Sequence, residues 1–97
     1  MSIVRMIITT VPAGMGDQAE RNWKEECAPL MIKQPGCLSE RLLRSKAIPG
    51  EYISYAEWDN EASVRAYLKS AAHQEIKRYN TNITGAKVVV KEYEVVR

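Results

Sequence analysis

Two strand-like segments, one near each end of the chain, carry apolar side chains on both faces. The first is Ile3–Val11, IVRMIITTV, and the second is Lys87–Val96, KVVVKEYEVV. Side chains alternate between the two faces of a strand, so both segments need cover above and below. A bare apolar face of this size exceeds what a soluble monomer usually exposes. We therefore expect both strands to lie inside a layered structure.

Between these strands, helix-like and strand-like segments alternate. The first helix opens at Gly16–Asp17 and stops at Gln34–Gly36, and the second is capped by Asp59 or Asn60. Pro29 should kink the first helix, and Ser70 could act as a fresh N-cap that divides the second. The predicted middle strands are Cys37–Ser45 and Glu51–Trp58. The order β-α-β-β-α-β predicts an α+β, ferredoxin-like fold: a four-stranded antiparallel sheet with both helices on one face.

Two helices can cover only one face of such a sheet. Val4, Met6 and Ile8 form an uninterrupted apolar set that suits a dry seam between two sheets. The sequence therefore predicts a homodimer through sheet-to-sheet packing, a dimeric α/β barrel with the helices outside. The alternative is a tail or loop folded over that face, for which the chain has few spare residues.

Composition sets the remaining bounds. At 97 residues the chain is the size of one domain, 1–97, and its net charge of +2 disfavours a nucleic-acid or acidic-membrane partner. We find neither a bilayer-spanning run nor a signal peptide. Two cysteines form no disulfide framework, which favours free thiols and a cytoplasmic location. Together with the single histidine they lack the spacing of a zinc site, so no metal is expected.

Nucleotide and RNA binding have no support in the motifs. Gly14 and Gly16 lack both the phosphate-loop and the dinucleotide-binding spacings. RNA-recognition motifs share the predicted fold but need exposed aromatic residues in a segment rich in Phe, and this chain contains no Phe.

The third strand locates a pocket. Ser54 and Ala56 are small and share one strand face with Trp58, which leaves unfilled volume beside an aromatic wall. We assign that face, together with Ile7 and Thr9 of the first strand, to the side covered by helices and expect a small-molecule cavity there. Alternation alone does not fix the assignment, and the reverse arrangement stays open. Arg41 and Arg44 are expected to be solvated or paired with a neighbour such as Glu40.

Several short motifs resemble the antibiotic-biosynthesis monooxygenase family. They are Val11–Gly14, Pro29–Met31, Gln34–Cys37, Tyr55–Ala62 and Ser70–His73. The resemblance runs from Ile3 to Val96 and implies a dimeric α+β barrel. Members of that family include oxygenases that act on polyphenolic anthrones without a cofactor, haem-degrading oxygenases and enzymes that modify small signalling molecules.

The resemblance can be carried over only residue by residue. The haem-degrading branch shares Trp58 but has an Asn and a His where this chain has Ile7 and about Lys77. A charged ammonium cannot ligate iron as a neutral imidazole does, so haem degradation is disfavoured. The quinone-forming branch pairs its Trp with an Asn where this chain has Ser54. His73 matches a histidine at the pocket mouth of small members.

These observations predict a cofactor-independent monooxygenase for a small aromatic or enolisable substrate. His73 would be the general base, with Trp58 and Ser54 steadying the substrate anion and Ile7, Thr9 and Ala56 completing the binding surface. The structural alternative for Trp58 is a core aromatic residue whose indole N–H has found a partner, and for His73 a half-exposed polar group of the helix. The alternatives are a non-catalytic binding protein with the same cavity, and an isomerase or tautomerase that uses the same base without oxygen.

Overall fold

The computed structural model describes residues 1–81 and 85–96. Its elements are β1 (Ile3–Thr10), α1 (Gly16–Asn22), a π-helical turn (Trp23–Cys27), α2 (Ala28–Met31), β2 (Cys37–Arg44), β3 (Glu51–Trp58), α3 (Glu61–Leu68), α4 (Ala71–Thr81) and β4 (Lys87–Glu94). The four strands form one sheet in the order β2-β3-β1-β4, and every neighbouring pair is antiparallel. The predicted ferredoxin-like α+β fold is confirmed.

Local chemistry explains where the helices begin and divide. The side chain of Asn60 accepts a hydrogen bond from the Ser63 amide at 2.9 Å and so caps α3. Ser70 Oγ accepts from the His73 amide at 3.2 Å, which confirms the predicted break between α3 and α4. The expected kink at Pro29 takes the form of the π-helical turn just before it, where the Ala28 amide bonds to the Trp23 carbonyl.

The core lies between one sheet face and the helices. Trp58 is fully buried there, and Ala56, Val64, Cys27 and Tyr67 are each at most 2 % exposed. The strand residues that face the helices include Ile3 and Arg5 of β1, which pair with Trp58 and Ala56 across the sheet. A second, smaller cluster forms around Val11 and Tyr52.

The opposite sheet face is only partly covered within the single chain. Val4 is buried, but Val89 and Tyr93 of β4 are 52 % and 48 % exposed. On the helix side, Val88 and Val90 are also about half exposed. The helices therefore leave the edge strand β4 uncovered on both faces, because they pack over β1, β2 and β3.

Candidate functional site

A cavity lies between the sheet and the first helical segment. Its volume is about 60 Å³, measured as the space open to the centre of a water molecule, which is room for more than one water. Side chains from β1, β2 and β3, from α1, the π-helical turn, α2 and α4, and from two residues that flank strands line it: Ile7, Thr9, Val11, Ala19, Asn22, Trp23, Cys27, Met31, Leu42, Tyr52, Ser54, Ile76 and Ala86. None of these described lining residues is charged near neutral pH, so the cavity favours an uncharged, largely apolar ligand.

A buried carboxyl group stands behind two of the lining residues. Ser54 Oγ donates a hydrogen bond to Glu40 Oε1 at 2.9 Å, and Trp23 Nε1 donates to the same oxygen at 3.1 Å. Trp23 Nε1 also lies 3.2 Å from Ser54 Oγ, so the three groups form a closed triangle. Glu40 Oε2 is buried and has no hydrogen-bond partner among the described residues.

The surroundings of Glu40 make it more basic than an ordinary carboxylate. Burial raises its pKa to about 7, although the hydrogen bonds from Ser54 and Trp23 act in the opposite direction. The group therefore changes charge near neutral pH. A group of this kind beside a cavity can take up or release a proton during a reaction.

A second network fastens α1 to the sheet at another part of the cavity. Tyr52 Oη donates to Glu20 Oε2 at 2.7 Å, and Arg44 makes a two-point contact with the same carboxylate at 2.7 and 2.9 Å. The bonds to Arg44 and Tyr52 lower the pKa of Glu20, which holds it as a carboxylate. This network positions the Tyr52 ring in the cavity wall. Arg44 is thus solvated and paired with a neighbouring acid, as expected, but the partner is Glu20, because Glu40 accepts from Ser54 and Trp23 under the helices.

Trp58 and His73 belong to a separate stack of rings. The Trp58 and Tyr67 ring centroids are 4.9 Å apart, and the Tyr67 and His73 centroids are 5.1 Å apart in an edge-on arrangement. Neither Trp58 nor His73 lines the cavity; Cys27, Met31 and Ile76, which do line it, also belong to the core that contains Trp58 and Tyr67. The cavity and the ring stack thus share a wall.

The ring stack contains polar atoms without partners. Trp58 Nε1, Tyr67 Oη and Arg5 Nη1 are all buried and unbonded among the described residues, although Arg5 Nε contacts Glu92 at 3.3 Å. His73 Nδ1 lies 3.2 Å from the Leu68 carbonyl, which only accepts, so Nδ1 carries the proton and Nε2 keeps its lone pair. Burial, and then the charge of Arg5, lower the pKa of His73 and favour its neutral form.

Of the predicted binding residues, Ile7, Thr9 and Ser54 line the cavity, whereas Ala56 is packed in the core at 1 % exposure. The sequence interpretation missed Glu40 and Trp23. The available signal was the one acidic residue of the strand CLSERLLR, whose partner on the neighbouring strand, Ala56, is two residues from Ser54.

The two cysteine thiols are protonated at neutral pH. Burial raises the pKa of both Cys27 and Cys37 to about 11, so neither is a reactive thiolate at neutral pH.

In the part of the chain that the structure covers, no group of three or more His, Cys, Asp or Glu side chains could hold a metal ion. Over the same residues, no helix has the length and apolarity to cross a membrane.

Comparison with known proteins gives a family match. The family model described as antibiotic biosynthesis monooxygenase matches residues 1–79. No curated protein matches the chain. The structure of SnoaB, a cofactor-independent oxygenase from Streptomyces nogalater, superposes with a TM-score of 0.85 at 17% identity, covering 99% of this chain and 94% of that one. A Bacteroides thetaiotaomicron protein of unknown function, described as a possible oxidoreductase, gives 0.84 at 17% identity, with 97% of each chain covered.

Proposed function

Since this chain belongs to the antibiotic biosynthesis monooxygenase family, we propose that it is a cofactor-independent monooxygenase for a small, uncharged aromatic or enolisable molecule. The observation that carries the proposal is the cavity, whose described lining is uncharged and which has a titratable carboxyl group immediately behind its wall. The similarity to SnoaB supports the same scaffold, and at 17% identity it supports the fold alone.

The proposed chemistry needs only a proton acceptor and dioxygen. Removal of a proton from an acidic CH₂ group gives a carbanion, which can pass one electron to O₂. The resulting radical and superoxide combine to a peroxide, and loss of water leaves a carbonyl group. The net change is CH₂ plus O₂ to C=O plus H₂O, so both oxygen atoms and all four electrons are accounted for. The protein's task is to stabilise the anion and exclude bulk water.

We propose that His73 and Trp58 also contribute to this reaction, and two observations support their involvement. Trp58 Nε1 is a buried donor with no partner among the described residues, and His73 is held neutral with a lone pair on Nε2. Direct contact with a ligand in the cavity requires the ligand to displace the wall that Cys27, Met31 and Ile76 form. Without such displacement, both residues act through the packing of that wall.

We also propose that the protein works as a homodimer through the open sheet face. Val89, Tyr93 and Leu43 on that face are between 41 % and 52 % exposed in the single chain. A second copy packed against this face would remove these apolar side chains from water, at about 25 cal/mol for each Å² buried.

The direct test is oxygen uptake with anthrone, a neutral ring system with one acidic CH₂ group. We expect one O₂ consumed for each anthraquinone formed, and loss of activity in Ala19→Leu, which fills the cavity. Ala62→Leu, the same change at an exposed position of α3, is the matched control and should stay active.

Other outcomes point to the other functions. Ligand stabilisation in a thermal-shift screen without oxygen uptake would favour a binding protein. Conversion between tautomers of a ketone without oxygen consumption would favour an isomerase. Equal activity in Ala19→Leu and Ala62→Leu would show that the cavity is not the site.

A further inference from the structure

We propose that Ser54, Glu40 and Trp23 form a proton relay in the cavity wall, in which Ser54 Oγ takes a proton from the substrate while passing its own proton to Glu40. The inference rests on the proposed function, because it names the groups that remove the substrate proton. It assigns the base to the cavity wall itself, on the side of β2 and β3, in place of His73, which does not line the cavity and acts through the packing of the shared wall.

The geometry of the triangle has the polarity that a relay needs. The Ser54 hydroxyl already donates to Glu40 Oε1 at 2.9 Å, so its proton is aimed at the acceptor. A hydroxyl oxygen has two lone pairs, and Trp23 Nε1 at 3.2 Å engages one of them. The second lone pair is available to a ligand, because Ser54 is part of the cavity lining.

The transfer balances without any further reactant. A C–H or O–H bond of the substrate breaks, its proton bonds to Ser54 Oγ, and the original hydroxyl proton moves to Glu40 Oε1. The products are a substrate anion and a neutral glutamic acid. The negative charge moves from the buried carboxylate to the ligand, so the total charge of the site is unchanged.

Glu40 is poorly suited to a purely structural role. Its Oε2 atom is buried with no partner, and none of the described Lys or Arg side chains forms an ion pair with it. An ionised carboxylate with one bare oxygen is destabilised and therefore a stronger base. Protonation relieves this cost, which is the driving force for taking the substrate proton.

The titratable groups facing Glu40 stay neutral across the working range. They are Cys27 from the π-helical turn, Cys37 from β2 and Tyr67 from α3. Burial raises the pKa of each, to about 11 for both thiols. Trp23 and Ser54, the groups in direct contact, do not ionise in this range, so within this set of neighbours only Glu40 changes charge near pH 7.

The relay narrows the substrate class. A ligand in contact with Ser54 lies in a cavity whose described lining has no cation to bind a carboxylate or phosphate. The substrate is therefore a neutral molecule with a weakly acidic proton, either a phenol or a C–H group next to a carbonyl. 2-Tetralone belongs to the second kind: it is a neutral ketone with an acidic CH₂ group, C1, between its carbonyl and its aromatic ring.

The test separates proton removal from oxygen chemistry. Deuterium exchange at C1 of 2-tetralone is followed by NMR in D₂O under argon, with the intact protein at a series of pH values. We expect the wild-type rate to rise with a midpoint near pH 7, and Glu40→Gln and Ser54→Ala to lower it by about a hundredfold. Ser54→Thr keeps the hydroxyl and should restore most of the exchange. Glu25→Gln, the same change at an exposed position, is the control.

Trp23→Phe tests the relay through the midpoint of the pH profile, which would not change if Glu40 had only a structural role. It keeps a ring in the wall but removes a hydrogen bond that lowers the pKa of Glu40, so the midpoint of the exchange profile should shift to higher pH. An unchanged profile in Glu40→Gln or Ser54→Ala would overturn the relay while leaving the oxygenase proposal intact. Rapid exchange that depends on Glu40, without oxygen uptake by the wild type, would support the relay and refute the oxygenase.

Discussion

The buried carboxyl group of Glu40 should make the stability of the protein depend on pH in a predictable direction. Its pKa is about 7 in the folded chain against an ordinary value of 4.5. The folded state therefore binds more protons than the unfolded state between these two values. The free energy of unfolding must fall as pH rises through this window and level off above it.

The size of the effect follows from the two pKa values. At about 1.4 kcal/mol for each pH unit, the penalty for ionising Glu40 reaches about 3 kcal/mol at high pH. Between pH 5 and pH 8 the carboxyl group alone should remove roughly 2–3 kcal/mol from the free energy of unfolding. Such a loss is a large part of the total stability of a domain of this size.

Glu40→Gln removes this dependence while keeping the shape of the side chain. The amide oxygen can still accept from Ser54 and Trp23, but the amide nitrogen takes the place of the unpartnered Oε2. An unbonded buried donor costs about 1–3 kcal/mol. We therefore expect the variant to be less stable than the wild type at pH 5 and equally or more stable at pH 8.

Urea unfolding at both pH values, at one protein concentration, measures the difference. His73 acts in the opposite direction, because a lowered pKa means that the folded state gains stability as pH rises towards the ordinary value of 6.5. Subtracting variant from wild type removes this contribution. A difference that stays constant from pH 5 to pH 8 would refute the assignment of a raised pKa to Glu40. Glu25→Gln should follow the wild type throughout.

Three further predictions concern the dimer, a turn and the ring stack. Val89→Lys should reduce the mass measured by light scattering from about twice that of the 11.0 kDa chain to that of a single chain. Val88→Lys, on the helix side of the same strand, should leave the mass unchanged, and a wild type that is already monomeric contradicts the dimer. Gly50→Ala should cost about 2–4 kcal/mol in urea unfolding, because φ is +83° and the new Cβ would lie 2.5 Å from the Val11 carbonyl oxygen; a loss below 1 kcal/mol contradicts this. Trp58→Phe and His73→Ala should each lower turnover at least tenfold when assayed below the melting temperature of each variant, and full activity in both would remove these residues from the mechanism.

Hydrophobic periodicity was sufficient to predict the order and type of the elements. The predicted strand Glu51–Trp58 has the bounds of β3, and the strand predicted over Lys87–Val96 ends two residues earlier, at Glu94. These segments are clear because alternation and β-branched residues agree along their whole length. The same reasoning placed Ile7, Thr9 and Ser54 on one face, and they line one cavity.

Alternation fails where the strand itself is irregular. In β2 the register shifts between Cys37 and Ser39, so that Cys37 faces Trp58 and Glu40 faces Ala56 on the same side of the sheet. A regular strand would put Cys37 and Glu40 on opposite faces. Nothing in the local sequence marks the shift, so alternation alone does not place Cys37 and Glu40 on one face.

The predicted void beside Ser54 and Ala56 is present only next to Ser54. Ser54 and Ala56 are both small, but the void lies beside Ser54 alone, because the core fills the space next to Ala56. The large ring of Trp58 is covered by Tyr67 from α3. Strand alternation cannot reveal this contact, because it joins a strand to the helix packed on it. Small residues predict a gap only when the opposing layer is known.

The position of Trp23 links one proline to the chemistry of the site. Pro29 has no amide hydrogen, and in a regular helix its ring would clash with the carbonyl of Glu25. The chain accommodates it with a wider turn over Trp23–Cys27, in which the Ala28 amide reaches back to the Trp23 carbonyl. This turn carries the Trp23 indole, whose N–H is bonded to both Glu40 and Ser54. Pro29 thus follows closely on the turn that carries Trp23. The wider helical turn and the position of Trp23 in the proposed relay therefore have one structural origin.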